Sequence, residues 1–379
     1  MMRIAMFAPT RARCGIGDYS RHLIAGLQQQ PEVETVQVIP VPMEVVQDSI
    51  IEVLRNYAAV ERLFEFLGQE LSEAGDLVHV QHQYFFFGGV APHKNHTRAL
   101  LNAIRKPLVM TVHEIAVPNA RISPVQRLLL EWSNRTNFQH PAIGHFIVHT
   151  EADREILRSR GVSEARLHLI PVGVPPALPM PESDAAKRQL GLEGTRVITL
   201  FGFLSRKKGH RVALECLPHL PDDVRLLFAG EQHPDDTTDY VPKLRTEIET
   251  RGLSDRVRIT GYLPEEEIPV VMAATDVAIA PFVQSSGSAS LAHLFAYERA
   301  IVASDIPPHR ALLDAAPACL ALFPTENPPA LANAIRLALT SEAQGRLQRG
   351  ARAYAAAHSY AQIAARTVAV YQEALGVGR

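Results

Sequence analysis

Val197-Ile198-Thr199-Leu200-Phe201-Gly202-Phe203-Leu204-Ser205-Arg206-Lys207-Lys208-Gly209 begins as a short apolar run and breaks at a glycine into a turn holding three cations. An apolar run of this length, bounded by glycine, reads as a buried strand. Upstream, Pro171, Pro175, Pro176, Pro179 and Pro181 crowd one stretch. Proline continues neither a helix nor a central strand, so this stretch reads as a linker. Before it, strands are expected at Ile4–Ala8, Val36–Pro40, Leu77–Val80, Leu108–Val112, Phe146–Val148 and Leu167–Ile170. After it, the expected strands are Val197–Phe201, Arg225–Ala229, Val257–Thr260, Val277–Ala280 and Ile301–Ala303. Helical patterns lie between them, among them Asp18–Leu27 and Glu151–Arg158, the latter with Thr150 and Asp153 placed as a capping box. Alternation of this kind predicts an α/β protein with parallel sheets covered by helices on both faces. The last helical stretch, Ala361–Ala374, has no place in the fold that periodicity alone assigns.

At 379 residues the chain has the length of two domains, each able to bury its own core. The formal net charge of −2 provides no global basic field for nucleic acid, which lowers that class. Cys14, Cys216 and Cys319 are far apart and show neither metal spacing nor a disulfide framework. The opening run Met1–Pro9 is too short for a signal-peptide core and reads as a first strand. No apolar stretch is long enough to span a bilayer. The expected setting is the cytoplasm, with contact at a membrane surface left open.

Five places carry candidate chemistry. Gly15-Ile16-Gly17 follows the first strand and opens a helix, where a backbone can approach an anion. The same segment also reads as an ordinary strand-to-helix turn. In the turn after Phe201, Arg206 can grip a phosphate through its planar fork, and a lysine acts there as a point charge. Gln284-Ser285-Ser286-Gly287-Ser288-Ala289-Ser290 precedes an apolar helix, Leu291–Tyr297; small side chains and free N–H groups there suit an oxyanion, and the segment reads equally as a flexible loop with a serine N-cap. His113-Glu114 leaves a strand end, where the imidazole can bond a sugar or take a proton, although a structural histidine is the commoner outcome. Gln81–Gly89 combines polar and aromatic residues at another strand end; it suits a carbohydrate and equally a self-packed loop. The acidic loop Asp235–Asp239 reads as solvated rather than metal-binding.

Taken in order, these segments resemble family 4 of the retaining glycosyltransferases, which have the GT-B fold. The resemblance rests on Gly15–Ser20, Asp76–Gln83, Thr111–Glu114 and Ile170–Val174 in the first half. In the second half it continues through Gly202–Gly209, Ala229-Gly230, Val257–Leu263, Ala274–Val277 and Val302–Asp305. It implies two Rossmann-like domains facing across a cleft, residues 1–178 on the acceptor side and 179–360 on the donor side. The final helix, 361–379, would cross back to the first domain.

The resemblance also implies roles. Arg206 and Lys208 would hold the donor diphosphate, and His113 would face the donor sugar. Gly261, Tyr262 and Leu263 would lie near the nucleobase. Gly15, Gly17, Ser286, Gly287, Ser288, Ala289 and His293 complete the expected donor-binding set. Many members carry two glutamates eight positions apart around the second phosphate loop, where this chain has Ser285 and His293. The expected reaction is metal-independent transfer of a hexose, with retention, from a UDP- or GDP-linked donor to a hydroxyl of a carbohydrate or lipid-linked acceptor. No cofactor is implied, since the nucleotide-sugar is a substrate. The rivals are a sugar-nucleotide-binding protein without transfer activity, and a glycoside phosphorylase or sugar-nucleotide epimerase of the same fold.

Overall fold

The computed structural model describes residues 1–379 except 11–13, 47–49, 92–93, 118–122, 233–235, 237, 285–288 and 378–379. Its contacts divide the chain into two units, Met1–Gly173 with Tyr360–Arg379, and Val174–Ser359.

The first unit holds strands β1 (Met2–Ala8), β2 (Val33–Pro40), β3 (Leu77–His82), β4 (Leu108–Val112), β5 (His145–Val148) and β6 (Leu167–Leu169). They form one sheet in the order β2-β1-β3-β4-β5-β6, with every pair parallel. Helices α1 (Gly15–Leu27), α2 (Met43–Val46), α3 (Ile50–Ala74), α4 (Thr97–Ala103), α5 (Pro124–Phe138) and α6 (Glu151–Ser159) connect them. The second unit holds β7 (Arg196–Phe201), β8 (Val224–Ala229), β9 (Val257–Ile259), β10 (Val277–Ala280), β11 (Ile301–Ser304) and β12 (Ala321–Phe323). Its order is β12-β11-β10-β7-β8-β9, again all parallel. Its helices are α7 (Ser183–Leu190), α8 (His210–Cys216), α9 (Tyr240–Thr250), α10 (Ile268–Ala274), α11 (Ala289–Ala296), α12 (Pro307–Ala315), α13 (Pro328–Ala338) and α14 (Ser341–Ala357).

Both sheets are doubly wound. Strand order reverses between β1 and β3 in the first unit and between β7 and β10 in the second, and such switch points are where open α/β sheets bind ligands. The central strands are buried on both sides, so they read as continuous apolar runs, and the expected strands match observed ones. The sequence reading missed β12, a three-residue edge strand. At α6 the expected capping box forms only in part. Thr150 Oγ1 accepts from the Asp153 N–H at 3.1 Å, but the Asp153 carboxylate accepts the Thr150 hydroxyl instead of its backbone N–H.

The last helix, α15 (Tyr360–Ala374), packs in the first unit. Ile363, Ala364, Val368, Val370 and Tyr371 sit in one cluster with Ile4, Met6, Leu23, Val109 and Ile147. A Cβ on Gly26 of α1 would stand 2.7 Å from the Tyr360 carbonyl oxygen, so only glycine permits this close crossing of α1 and α15. Among the described residues, no helix is long and apolar enough to cross a membrane.

Candidate functional site

The switch point of the second unit is built from two loops. The first leaves β7 through Gly202 and turns over Arg206–Lys208 into α8. The second leaves β10 through Pro281 and Phe282 toward α11. They are locked together. Val283 N–H donates to the Lys207 carbonyl at 2.8 Å, and Ser304 Oγ fixes the second loop by donating to the Phe282 carbonyl at 2.5 Å. Gly209 has φ +72°, and a Cβ there would lie 1.9 Å from the Pro281 carbonyl oxygen.

Lys208 sits in this junction. Its Nζ donates to Ser290 Oγ at 2.7 Å and to the Phe201 carbonyl at 3.4 Å. It also lies 5.5 Å from the Phe282 ring centroid. Burial lowers its pKa to about 7, because the surroundings disfavour the ammonium. Gly202 makes room for it: at φ +105°, a Cβ would stand 2.4 Å from Nζ and 2.8 Å from Ser290 Cβ. Arg206 is exposed, with its guanidinium 5.7 Å from the Tyr240 ring centroid. Behind it, buried His210 donates from Nδ1 to the Ser205 carbonyl at 3.2 Å. Burial and the neighbouring Lys208 charge push His210 down to about 3, so it is neutral.

The structure thus joins Lys208 to the start of α11, where Ala289 is exposed and Ser290 buried. Ser286, Gly287 and Ser288, like Ser285, lie outside the described residues. His293 is half-buried on α11, its ring 5.4 Å from Phe201. Gly261 turns the chain after β9 with φ +80°, and Tyr262 is exposed beside it. Leu263 lines a cavity of about 240 Å³ with Leu227, Arg258, Thr260, Val270 and Val271.

The remaining expected residues belong to the first unit. Gly15 is the exposed first residue of α1 and Gly17 is half-buried. His113 follows β4 at the C-terminal edge of the sheet, and its ring is fully engaged. Nε2 lies 2.8 Å from Gln81 Oε1 and Nδ1 lies 3.3 Å from His149 Nε2. His149 Nδ1 donates to the Ile170 carbonyl at 2.9 Å. On the other side, Gln81 Nε2 is 3.2 Å from His79 Nε2. His79 also meets Tyr371 Oη at 2.6 Å and Thr111 Oγ1 at 2.7 Å. Burial holds His79 down to about 3 and His149 to about 4, and it depresses His113 together with the charges of its histidine neighbours. This connected polar ladder is therefore neutral at physiological pH.

Of this ladder, sequence reasoning singled out His113 and, in the Gln81–Gly89 segment, Gln81, but it did not connect them. The missed signal was period-2 placement: His79 and Gln81 on β3, and Thr111 and His113 on and after β4, alternate with apolar residues and so share one face. Ser290 was read for its backbone, and its hydroxyl contact with Lys208 escaped notice.

Residues 20–178 match the family model described as Glycosyltransferase Family 4. Residues 195–341 match the one described as Glycosyl transferases group 1. The chain belongs to glycosyltransferase family 4. Over 193 residues it is 30% identical to 2-deoxystreptamine glucosyltransferase of Streptomyces kanamyceticus, a match covering 47% of each chain. The chain spans about half the length of the first curated relatives it matches. Among solved structures, sucrose-phosphate synthase of Thermosynechococcus elongatus superimposes with a TM-score of 0.77 at 18% identity over 99% of both chains. HepE of Anabaena, solved with UDP and glucose, gives a TM-score of 0.73 at 16% identity over 98% of this chain and all of its own. These likenesses show the fold, which is GT-B.

Proposed function

We propose that this family 4 glycosyltransferase moves a hexose, with retention, from a UDP- or GDP-linked donor to a hydroxyl on a carbohydrate or lipid-linked acceptor. The observation that carries the reading is Lys208, held by Ser290 and the Phe201 carbonyl at the switch point of the second unit. A partly desolvated ammonium at this position is built for an anion. A departing diphosphate leaves positive character on the sugar ring, so stabilising the leaving charge lowers the barrier. Lys208 supplies the near charge and Arg206 the mobile outer one, with the amides at the start of α11 adding the positive end of a helix. The charge is met by these groups with no metal required. Gly261–Leu263 receives the nucleobase. HepE is described with UDP and glucose, which supports the donor class.

The test is a thermal-shift panel of UDP, GDP and their hexose conjugates, followed by a transfer assay with the conjugate that binds. A ligand of the native state raises the melting temperature by mass action. Stabilisation that disappears in Lys208→Ala supports the reading; stabilisation by no nucleotide in the panel overturns it. Ser285 and His293, which stand where the resemblance implies the family's paired glutamates, favour a second reading, donor binding without transfer. Binding without donor hydrolysis or transfer in any acceptor mixture would establish that reading instead.

A further inference from the structure

The geometry points to a divalent transition-metal site formed by His145, His168 and Glu373, at the opposite end of the first unit's sheet from His113. His145 opens β5, His168 sits in β6, and Glu373 lies in the last turn of α15. His145 Nδ1 is 2.9 Å from His168 Nε2, and that Nε2 is 3.9 Å from Glu373 Oε2. One ligand atom from each residue lies within 4.8 Å of the other two, and among the described residues no other trio of metal-ligating side chains meets this condition. The two histidines share a sheet face with Ile147, which packs under α15.

Two imidazoles and one carboxylate suit zinc, nickel, cobalt or copper better than the hard cations calcium and magnesium. Zinc bonds nitrogen at about 2.0–2.1 Å, so a tetrahedral pair needs its nitrogens roughly 3.4 Å apart. The rings have to separate by about 0.5 Å from the observed contact to reach that spacing. Glu373 is exposed and free to swing inward on its flexible side chain. The nearby cation, Arg166, is held by the backbone: its Nε donates to the Gly144 carbonyl at 2.9 Å. Three protein ligands leave a fourth position to water.

The site is structural rather than catalytic. His145 and His149 are four residues apart on one strand path, about 13 Å. A metal here ties the end of α15 to the β5–β6 edge and so fixes the last helix on the sheet that it covers.

The experiment uses the full chain, treated with chelator and desalted, and titrates zinc chloride against a chromophoric zinc indicator. One equivalent should bind saturably. At a hundredfold excess over Kd, the melting temperature of the transition that includes α15 should rise by about 5 °C or more. Glu373→Gln, at an exposed position, should keep its fold and lose at least about tenfold in affinity. His168→Ala should lose this binding altogether. Absence of saturable binding to the wild-type chain overturns the proposal. So does wild-type affinity in both variants, which would place the zinc on other histidines.

Discussion

Lys208→Met tests the donor-phosphate reading most sharply, because it removes the charge while keeping a flexible chain of similar length. A hydrogen bond between a charged group and phosphate is worth about 1.5–3 kcal/mol. At 1.4 kcal/mol per decade, nucleoside diphosphate Kd should rise roughly 10- to 150-fold. A second signature comes from protonation. Lys208 has its pKa lowered from 10.5 to about 7 by burial, whereas a bound diphosphate favours the ammonium. Above pH 7 the free protein is therefore largely neutral at this residue and the complex is charged, so binding takes up a proton. Kd should climb with pH above 7, by close to tenfold per unit, relative to the variant. The stability effect of the free protein has the opposite sign. The unfolded chain keeps this proton up to about pH 10.5 and the folded chain only to about 7, so stability from this group rises with pH across that window. Calorimetry at pH 8 in two buffers of different ionisation enthalpy measures affinity and proton uptake together. Comparison with Lys208→Met cancels the titration of the ligand itself. A variant that binds within threefold of wild type with the same proton uptake would refute the assignment.

Gly202→Ala should cost about 1–3 kcal/mol through its positive φ and displace Lys208 Nζ, so melting temperature and nucleotide affinity should fall together in thermal-shift and calorimetric titrations. Arg206→Ala should cut kcat/KM at least tenfold with the melting temperature unchanged, since the side chain is exposed; steady-state kinetics checks this. His113→Ala should lower turnover more than nucleoside diphosphate affinity, because it stands in the other unit from Lys208; a large loss of affinity by calorimetry would count against this division. Tyr371→Phe removes the 2.6 Å contact with buried His79 and should destabilise the protein by about 1–3 kcal/mol in urea unfolding.

Much of the architecture was legible because each central strand is a short apolar run and each is followed by a turn. β12 was not, since three residues at a sheet edge make too weak a pattern. Lys208 stands out in the sequence by its position after β7, and the structure adds the Ser290 hydroxyl, 82 residues away, as its partner. Contacts of that separation leave no local trace in a sequence. The same reason hid the links of His79 to Tyr371, 292 residues beyond it, and of His113 to His149, although His113 and Gln81 were each singled out. It also hid His145, His168 and Glu373, which share no spacing motif. Residues 285–288, which carry much of the expected second phosphate loop, lie outside the described residues, and their role rests on the sequence reading.

Whether Lys208 meets the donor phosphate is decided by a crystal structure of the chain with the nucleoside diphosphate that stabilises it. A phosphate oxygen should lie within about 3.2 Å of Lys208 Nζ, at the junction of the loops after β7 and β10. A diphosphate seated elsewhere, with every phosphate oxygen more than about 3.5 Å from Lys208 Nζ, would contradict it.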